Sequence, residues 1–172
     1  MALTRQQMDD QVNQHFMYEA TDDIDGVVGS FTESEEIRHE AVPSPMGLLT
    51  SLAQVRAYYE MLFPSARGES VTPIMRLYGD DFLVDEALWT GEITDGHWCL
   101  CDGMSGRASF RLLHVFEFAA DGKIKRSTAR RPTVGRRSLA FRGGGFAGRL
   151  GDYRSRRDTG VWLASGSMLL RG

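Results

Sequence analysis

The sequence predicts an α+β domain in which helices gather early and a curved antiparallel sheet wraps one long helix. Three observations predict it. Apolar residues recur at helical spacing in segments before residue 64, every later element alternates with period two, and Asp95-Gly96 and Asp121-Gly122 supply hairpin turns between the late strands.

The first helix opens at Thr4, with Gln7 placed to complete a capping box. Met8, Val12, Phe16 and Ala20 form its apolar stripe, which leaves Asp9, Asp10, Gln14 and Glu19 facing water and His15 at the boundary. Asp22 and Asp23 break the pattern, and an acid cap there starts a short second helix carrying Ile24, Val27, Val28 and Phe31. Ile37, His39 and Ala41 alternate with Arg38 and Glu40 as a strand, ended by Pro43-Ser44-Pro45. A third helix opens near Ser51, with Gln54 as its capping partner, and runs through Leu52, Val55, Tyr58, Tyr59, Leu62 and Phe63 to a stop at Pro64. Strands follow at Val71 to Tyr78, Phe82 to Ile93, His97 to Cys101, Ala108 to Phe118 and from Lys123 onward.

With 172 residues the chain supports one core, and 42% hydrophobic with 25% charged residues excludes whole-chain disorder. The net charge of −3 argues against a bulk nucleic-acid binder, but it averages two unlike parts. Residues 1–129 carry 10 basic and 21 acidic groups, whereas residues 130–172 carry 10 Arg against Asp152 and Asp158. We therefore expect a domain over 1–129 and an Arg/Gly-rich extension over 130–172, the one part that could meet nucleic acid electrostatically. Nothing in the chain approaches the roughly 20 apolar residues of a membrane span, and the first residues lack a signal peptide's apolar run, so a cytoplasmic location is expected. Cys99 and Cys101 alternate to opposite faces of a strand, which disfavours a disulfide or a shared metal. The tail lacks phosphate-loop spacing. No cofactor and no metal are expected.

The phrases HFMYEATDDIDGVVGSFTES, RHEAVPSPMG followed by VRAYYEMLF, DDFLVDEALWTGEI and SFRLLHVFEFAADGKI, over about residues 8–126, resemble the NTF2-like superfamily, and within it the SnoaL-like polyketide cyclases and ketosteroid isomerase-related proteins. The resemblance implies a cone-shaped α+β barrel whose open end admits a small apolar molecule, and homodimers are common among such proteins. One departure stands out: the segment after Asp-Gly-Lys-Ile, KRSTARRPTVGRR, has no carboxylate between Asp121 and Asp152, so a mechanism resting on an acid in that strand is in doubt.

Candidate chemistry begins with histidine, which titrates near neutrality unaided. His114 shares a strand face with Phe110, Leu112, Phe116 and Phe118, either as a core histidine bonded to one neighbour or as a pocket acid or base. His39 lies on the inner face of its own strand, and His97 lies beside a turn. Between residues 81 and 93 one face carries Asp85 with Trp89 and the other carries Glu86; the resemblance favours the Asp85 face, and a one-residue slip exchanges the two. Asp23 is a complete helix cap, and it also matches the place of a histidine-orienting acid in dehydratase-like members, with Asp22 a near alternative. Tyr18, Tyr58 and Tyr59 are candidate hydroxyl donors to a carbonyl oxygen, Tyr58 and Tyr59 alternatively being helix-to-sheet packing.

Two readings follow. In the first, a SnoaL-like enzyme performs cofactor-free isomerisation, cyclisation or dehydration of a small apolar carbonyl or hydroxylated metabolite. His114 shuttles the proton, Asp85 or Asp23 holds its tautomer, and His39, Trp89, Phe110, Leu112, Phe116, Tyr18 and Tyr58 shape the cavity. In the second, the domain is a non-catalytic ligand-binding or dimerisation module.

Overall fold

The computed structural model describes residues 3–34, 37–42, 44–98, 105–130 and 168–169. Helices α1 (Arg5–Ala20) and α2 (Ile24–Gly29) are followed by strands β1 (Arg38–Val42) and β2 (Leu48–Leu49) and helix α3 (Leu52–Ser65). Strands β3 (Ala66–Tyr78), β4 (Phe82–Ile93), β5 (Gly106–Phe118), β6 (Ile124–Arg130) and β7 (Met168–Leu169) complete the order.

The helix starts are set by the caps expected of them. Thr4 and Gln7 form a reciprocal capping box on α1, and the Asp23 carboxylate accepts the Gly26 N–H at 2.9 Å to open α2. Ser51 accepts the Gln54 N–H, but the Gln54 carboxamide reaches back to the Thr50 N–H at 2.8 Å rather than to Ser51, so no second capping box closes. Between α1 and α2, Asp22 takes a left-handed turn at φ 54°, which Asp tolerates better than most residues. Pro64 does not stop α3. It stands in the last turn, where Ser65 Oγ–H donates to Met61 O and the Ala66 N–H to Leu62 O, and β3 begins at once at Ala66 instead of Val71.

One curved seven-stranded sheet has the order β2-β1-β6-β5-β4-β3-β7. The late strands pair antiparallel, as hairpin turns require, but β1 pairs parallel with β6. The sheet is therefore mixed rather than antiparallel throughout, because β1 precedes α3 in the chain and joins the far edge of the meander. Helices α1, α2 and α3 lie on its concave face, where Met8, Val12, Val27, Phe31, Ile37, Val55, Tyr59, Leu83, Phe116 and Ile124 make the main core. A second cluster toward the other end joins Ile93, Ala108 and Phe110 to Trp89, Leu62 and Leu112.

His97 lies in a turn rather than a strand. Cys99, Cys101 and the extension beyond Arg130, other than 168–169, lie outside the described residues; the boundary expected after residue 129 falls at the end of β6. Among the described residues, no helix is long and apolar enough to cross a membrane.

Candidate functional site

Alternation along the strands fixes what the concave face carries. Across the ladders one inward row reads His39, Ser127, Phe116, Leu83, and the next reads Ala41, Ala129, His114, Asp85. The register removes the ambiguity between the two acids of β4: Asp85 points in, 5% exposed, while Glu86 lies on the outer face in an ion pair with Arg111. Toward the second cluster follow Ala87 and Leu112, then Trp89 stacked on Phe110 at 5.0 Å between centroids. A polar belt thus crosses an otherwise apolar concave face.

His114 and His39 are buried in that belt, 8% and 3% exposed. The His114 ring stacks on Phe116 at 5.5 Å and meets the edge of Phe16 at 5.1 Å. His39 lies parallel to Tyr59 at 5.5 Å and at an angle to Tyr58 at 5.3 Å. Among the described residues, neither nitrogen of His39 and not Nδ1 of His114 has a hydrogen-bond partner. Burial pushes the His39 imidazole from 6.5 down to about 3, with His15 and His114 acting the same way; Glu19 opposes, as does the Ser127 backbone, which comes near without making a bond of normal geometry. His114 is lowered by burial too, against the pull of Glu19 and Asp85. Burial thus disfavours the charged form of both rings, and each keeps a ring nitrogen without a protein partner among the described residues.

Asp85 does not hold the His114 tautomer. The two are cross-strand partners, but the carboxylate accepts from Arg76 Nε at 2.9 Å, because β3 sets a guanidinium directly opposite it. Arg76 also donates to Asp9 at 2.7 Å and Asn13 at 3.1 Å on α1, and the Tyr78 hydroxyl donates to Asp9. Opposite charge on this scale fixes α1 to the sheet.

Asp23 is also excluded from the belt, since it is exposed and its carboxylate is spent on capping α2. Tyr18 lies elsewhere as well. Its hydroxyl accepts from Gln14 Nε2 at 2.7 Å, and with Gln11, Gln14, Asp25 and Lys123 it lines an open groove of about 380 Å³ that is not bordered by His39, Asp85 or His114.

Two groups expected at the boundary or in water are instead central. His15 is 1% exposed, with Nδ1 2.8 Å from Ser30 Oγ and Nε2 3.3 Å from Glu19 Oε1. The Glu19 side chain, 28% exposed, also accepts the Tyr59 hydroxyl at 2.8 Å. Burial works to raise the Glu19 carboxyl, but the facing His15, then His114 and the Tyr59 bond outweigh it and hold the group at about 2, below its ordinary 4.5. Tyr59 is raised well above 10 by burial and by that carboxylate. The signal was present in the spacing: Met8, Val12, His15, Phe16 and Glu19 follow the i, i+4, i+7, i+8, i+11 track of a 3.6-residue helix, whereas a stripe stepping strictly by four drifts off the face.

No cluster of three or more His, Cys, Asp or Glu suited to a metal occurs among the described residues. The concave face thus gathers titratable side chains, buried at His15, His39, Asp85 and His114 and half-buried at Glu19, in an apolar surround.

No family model matches the chain, and no curated protein matches it. Solved structures do. A protein assigned as a polyketide cyclase from a Silicibacter species superposes with a TM-score of 0.60 at 16% identity, covering 76% of this chain and 93% of that one. An epoxide hydrolase/cyclase-like enzyme with a role in pyran ring formation in the polyether salinomycin gives 0.55 at 19%, covering 74% and 92%. An epoxide hydrolase from M. tuberculosis gives 0.56 at 14%, covering 74% and 84%. The chain has the NTF2-like α+β cone fold, and its neighbours in fold are polyketide cyclase-like, epoxide hydrolase-like and ketosteroid isomerase-like proteins, in agreement with the resemblance read from the sequence.

Proposed function

We propose that the protein is a SnoaL-like enzyme that moves a proton on a small, largely apolar carbonyl or hydroxylated metabolite, without a cofactor, in an isomerisation, cyclisation or dehydration. The observation that carries this reading is the bare Nδ1 of His114, buried on the concave face with no partner among the described residues. A buried polar atom left unpaired costs about 1–3 kcal/mol, a cost that a ligand group bonded there would remove.

In this reading His114 takes the tautomer with its ring proton on Nε2, so that Nδ1, which has no protein partner among the described residues, takes a proton from a carbon or hydroxyl of the bound molecule. The imidazolium so formed faces Asp85 across the ladder, which stabilises it without a direct bond, and the same proton returns to the product. His39, neutral, offers one N–H and one lone pair to a substrate oxygen. Tyr58 packs beside it, and Leu112, Phe116 and the stacked Trp89 and Phe110 supply apolar walls.

Replacing His114 by Gln keeps a polar side chain of similar reach but removes the base. Turnover of a panel of small ketones, epoxides and hydroxylated aromatics should disappear while urea unfolding stays cooperative; wild-type turnover in the variant removes the assignment.

The second reading, a binding or dimerisation module, draws on the Asp85 carboxylate being committed to Arg76 and on the lack of an inward acid on β6, whose inward groups include Ser127 and Ala129. Ligand binding without turnover in the same panel selects it. Homodimerisation through the outer sheet face fits either reading, since Met75, Leu77 and Leu88 are exposed there around the Glu86–Arg111 pair. Sedimentation of the wild type against Leu77→Glu tests it.

A further inference from the structure

Strand β3 is an edge strand for most of its length. On one side it pairs with β4 from Ala66 to Tyr78. On the other, among the described residues, only Ser70 and Val71 have a strand beside them, opposite Leu169 and Met168 of β7. From Thr72 to Tyr78 no described strand is paired to that second side, and Ile74, Met75 and Leu77 on this stretch are exposed. An open, apolar edge of this length is a template for a further strand.

The pairing already in place fixes the direction and register of whatever continues it. Strand β7 runs antiparallel to β3, so the chain that precedes Met168 heads toward Tyr78. In that register Ser167 comes opposite Thr72, and Gly166 opposite Pro73, the one residue of the edge without an N–H. Beyond the irregularity at Ile74, Trp162 and Leu163 reach the stretch from Arg76 to Tyr78 whether or not the register slips by one residue.

Composition singles out the same segment. Residues 130–172 carry 10 Arg, yet residues 161–170, VWLASGSMLL, contain no charged side chain and open on Val and Trp, both favoured in strands. The connection is long enough. Strand β6 ends at Arg130, four strand spacings across the sheet from β7. That is about 19 Å at about 4.8 Å per strand, and residues 131–160 reach several times as far when extended.

We propose that residues 161–167, which lie outside the described residues, extend β7 along β3 as a single edge strand, so that this chain's own C-terminal segment occupies the edge and packs beside Met75 and Leu77. A second copy is the weaker competitor, because β7 is already seated at one end of the edge and the tether gives its neighbouring residues an effective concentration that a separate molecule does not match.

Backbone amide exchange of the full chain, followed by NMR, tests this. Those amides of Thr72 and of Ile74 to Tyr78 that point away from β4 should exchange about tenfold or more slowly than in Leu163→Pro, whose ring removes an N–H and blocks pairing within the segment. Amides of β5 and β6 should exchange alike in the two proteins. Rapid exchange of the edge amides in the wild type overturns the assignment, and this reading needs no variant. Protection that survives Leu163→Pro overturns it too; where that protection also grows with protein concentration, the occupant is a second copy of this chain.

Discussion

Asp85 and His114 stand opposite each other on adjacent strands, yet the Asp85 carboxylate bonds backward to Arg76 Nε at 2.9 Å and not to the imidazole beside it. Arg76 answers two carboxylates at once, Asp9 on α1 and Asp85 on β4, and so joins helix to sheet through one guanidinium. Removing it strands Asp85 and leaves Asp9 with the Tyr78 hydroxyl alone among these partners. Arg76→Ala should lower stability by about 2–4 kcal/mol, near the range for breaking a buried pair and discounted for partial exposure of the side chain. Asp85→Asn, which leaves Asp9 as partner, should cost less than half of that. Urea midpoints compare the two; equal losses would mean that Arg76 does not couple the acids.

Stability should fall on mild acidification. His39 has its proton affinity lowered from 6.5 to about 3 on folding, so between those values the unfolded chain binds a proton that the folded chain refuses. Its contribution is fully present above pH 6.5 and is lost as pH drops toward 3. Glu19, lowered from 4.5 to about 2, adds in the same direction below pH 4.5. Each group gives a slope of about 1.4 kcal/mol per pH unit within its window. Unfolding free energies measured at about pH 7.5 and pH 5 should therefore differ by about 2 kcal/mol or more, and a flat profile would contradict the neutral, buried state of His39.

His39→Phe replaces an imidazole with two unpaired nitrogens by a ring of similar shape among Phe31, Tyr58 and Tyr59. At pH 7 the variant should be as stable as the wild type or more stable by about 1 kcal/mol, with most of the acid-side slope gone. The same variant should bind ligand more weakly. A substitution that raises the unfolding midpoint while impairing binding is the signature of a group retained for function; a large destabilisation would show that the ring has a structural partner after all.

Two glycines should behave in opposite ways. A Cβ at Gly91 would stand 2.2 Å from the Arg67 carbonyl oxygen, on the backbone of the paired strand, where nothing can yield cheaply. Gly91→Ala should cost about 2 kcal/mol or more. Gly29, at the exposed end of α2, has open space around it, and Gly29→Ala should be neutral or stabilising by up to about 1 kcal/mol. Thermal midpoints of the two variants check the contrast.

Strands β4, β5 and β6 and the caps at Thr4, Asp23 and Ser51 were legible in the sequence, because period-two alternation and cap chemistry are local. The inward placement of His114 and His39 followed from the same alternation, whereas alternation left Asp85 and Glu86 on opposite faces and only the resemblance favoured Asp85, which the strand register places inward. What local pattern did not carry was pairing. The parallel partnership of β1 with β6, and the guanidinium that β3 sets against Asp85, depend on register between distant segments. Glu19 and His15 were misread for a different reason: a charged or polar side chain on a helix face counts as solvent-facing until a partner such as Tyr59 or Ser30 is found for it, and both partners come from other elements. Tyr18 and Asp23 were drawn toward the site by position in the chain, whereas their side chains turn to Gln14 and Gly26.

The most direct measurement follows the ring carbons of the four histidines by NMR while small apolar carbonyl and hydroxylated compounds are titrated into the full chain. A compound that binds against the concave face should shift the signals of His39 and His114 together and leave His97, out in its turn, where it was. A compound that binds tightly, or is turned over, while both of those buried rings stay unmoved would contradict the assignment of the concave face as the functional site.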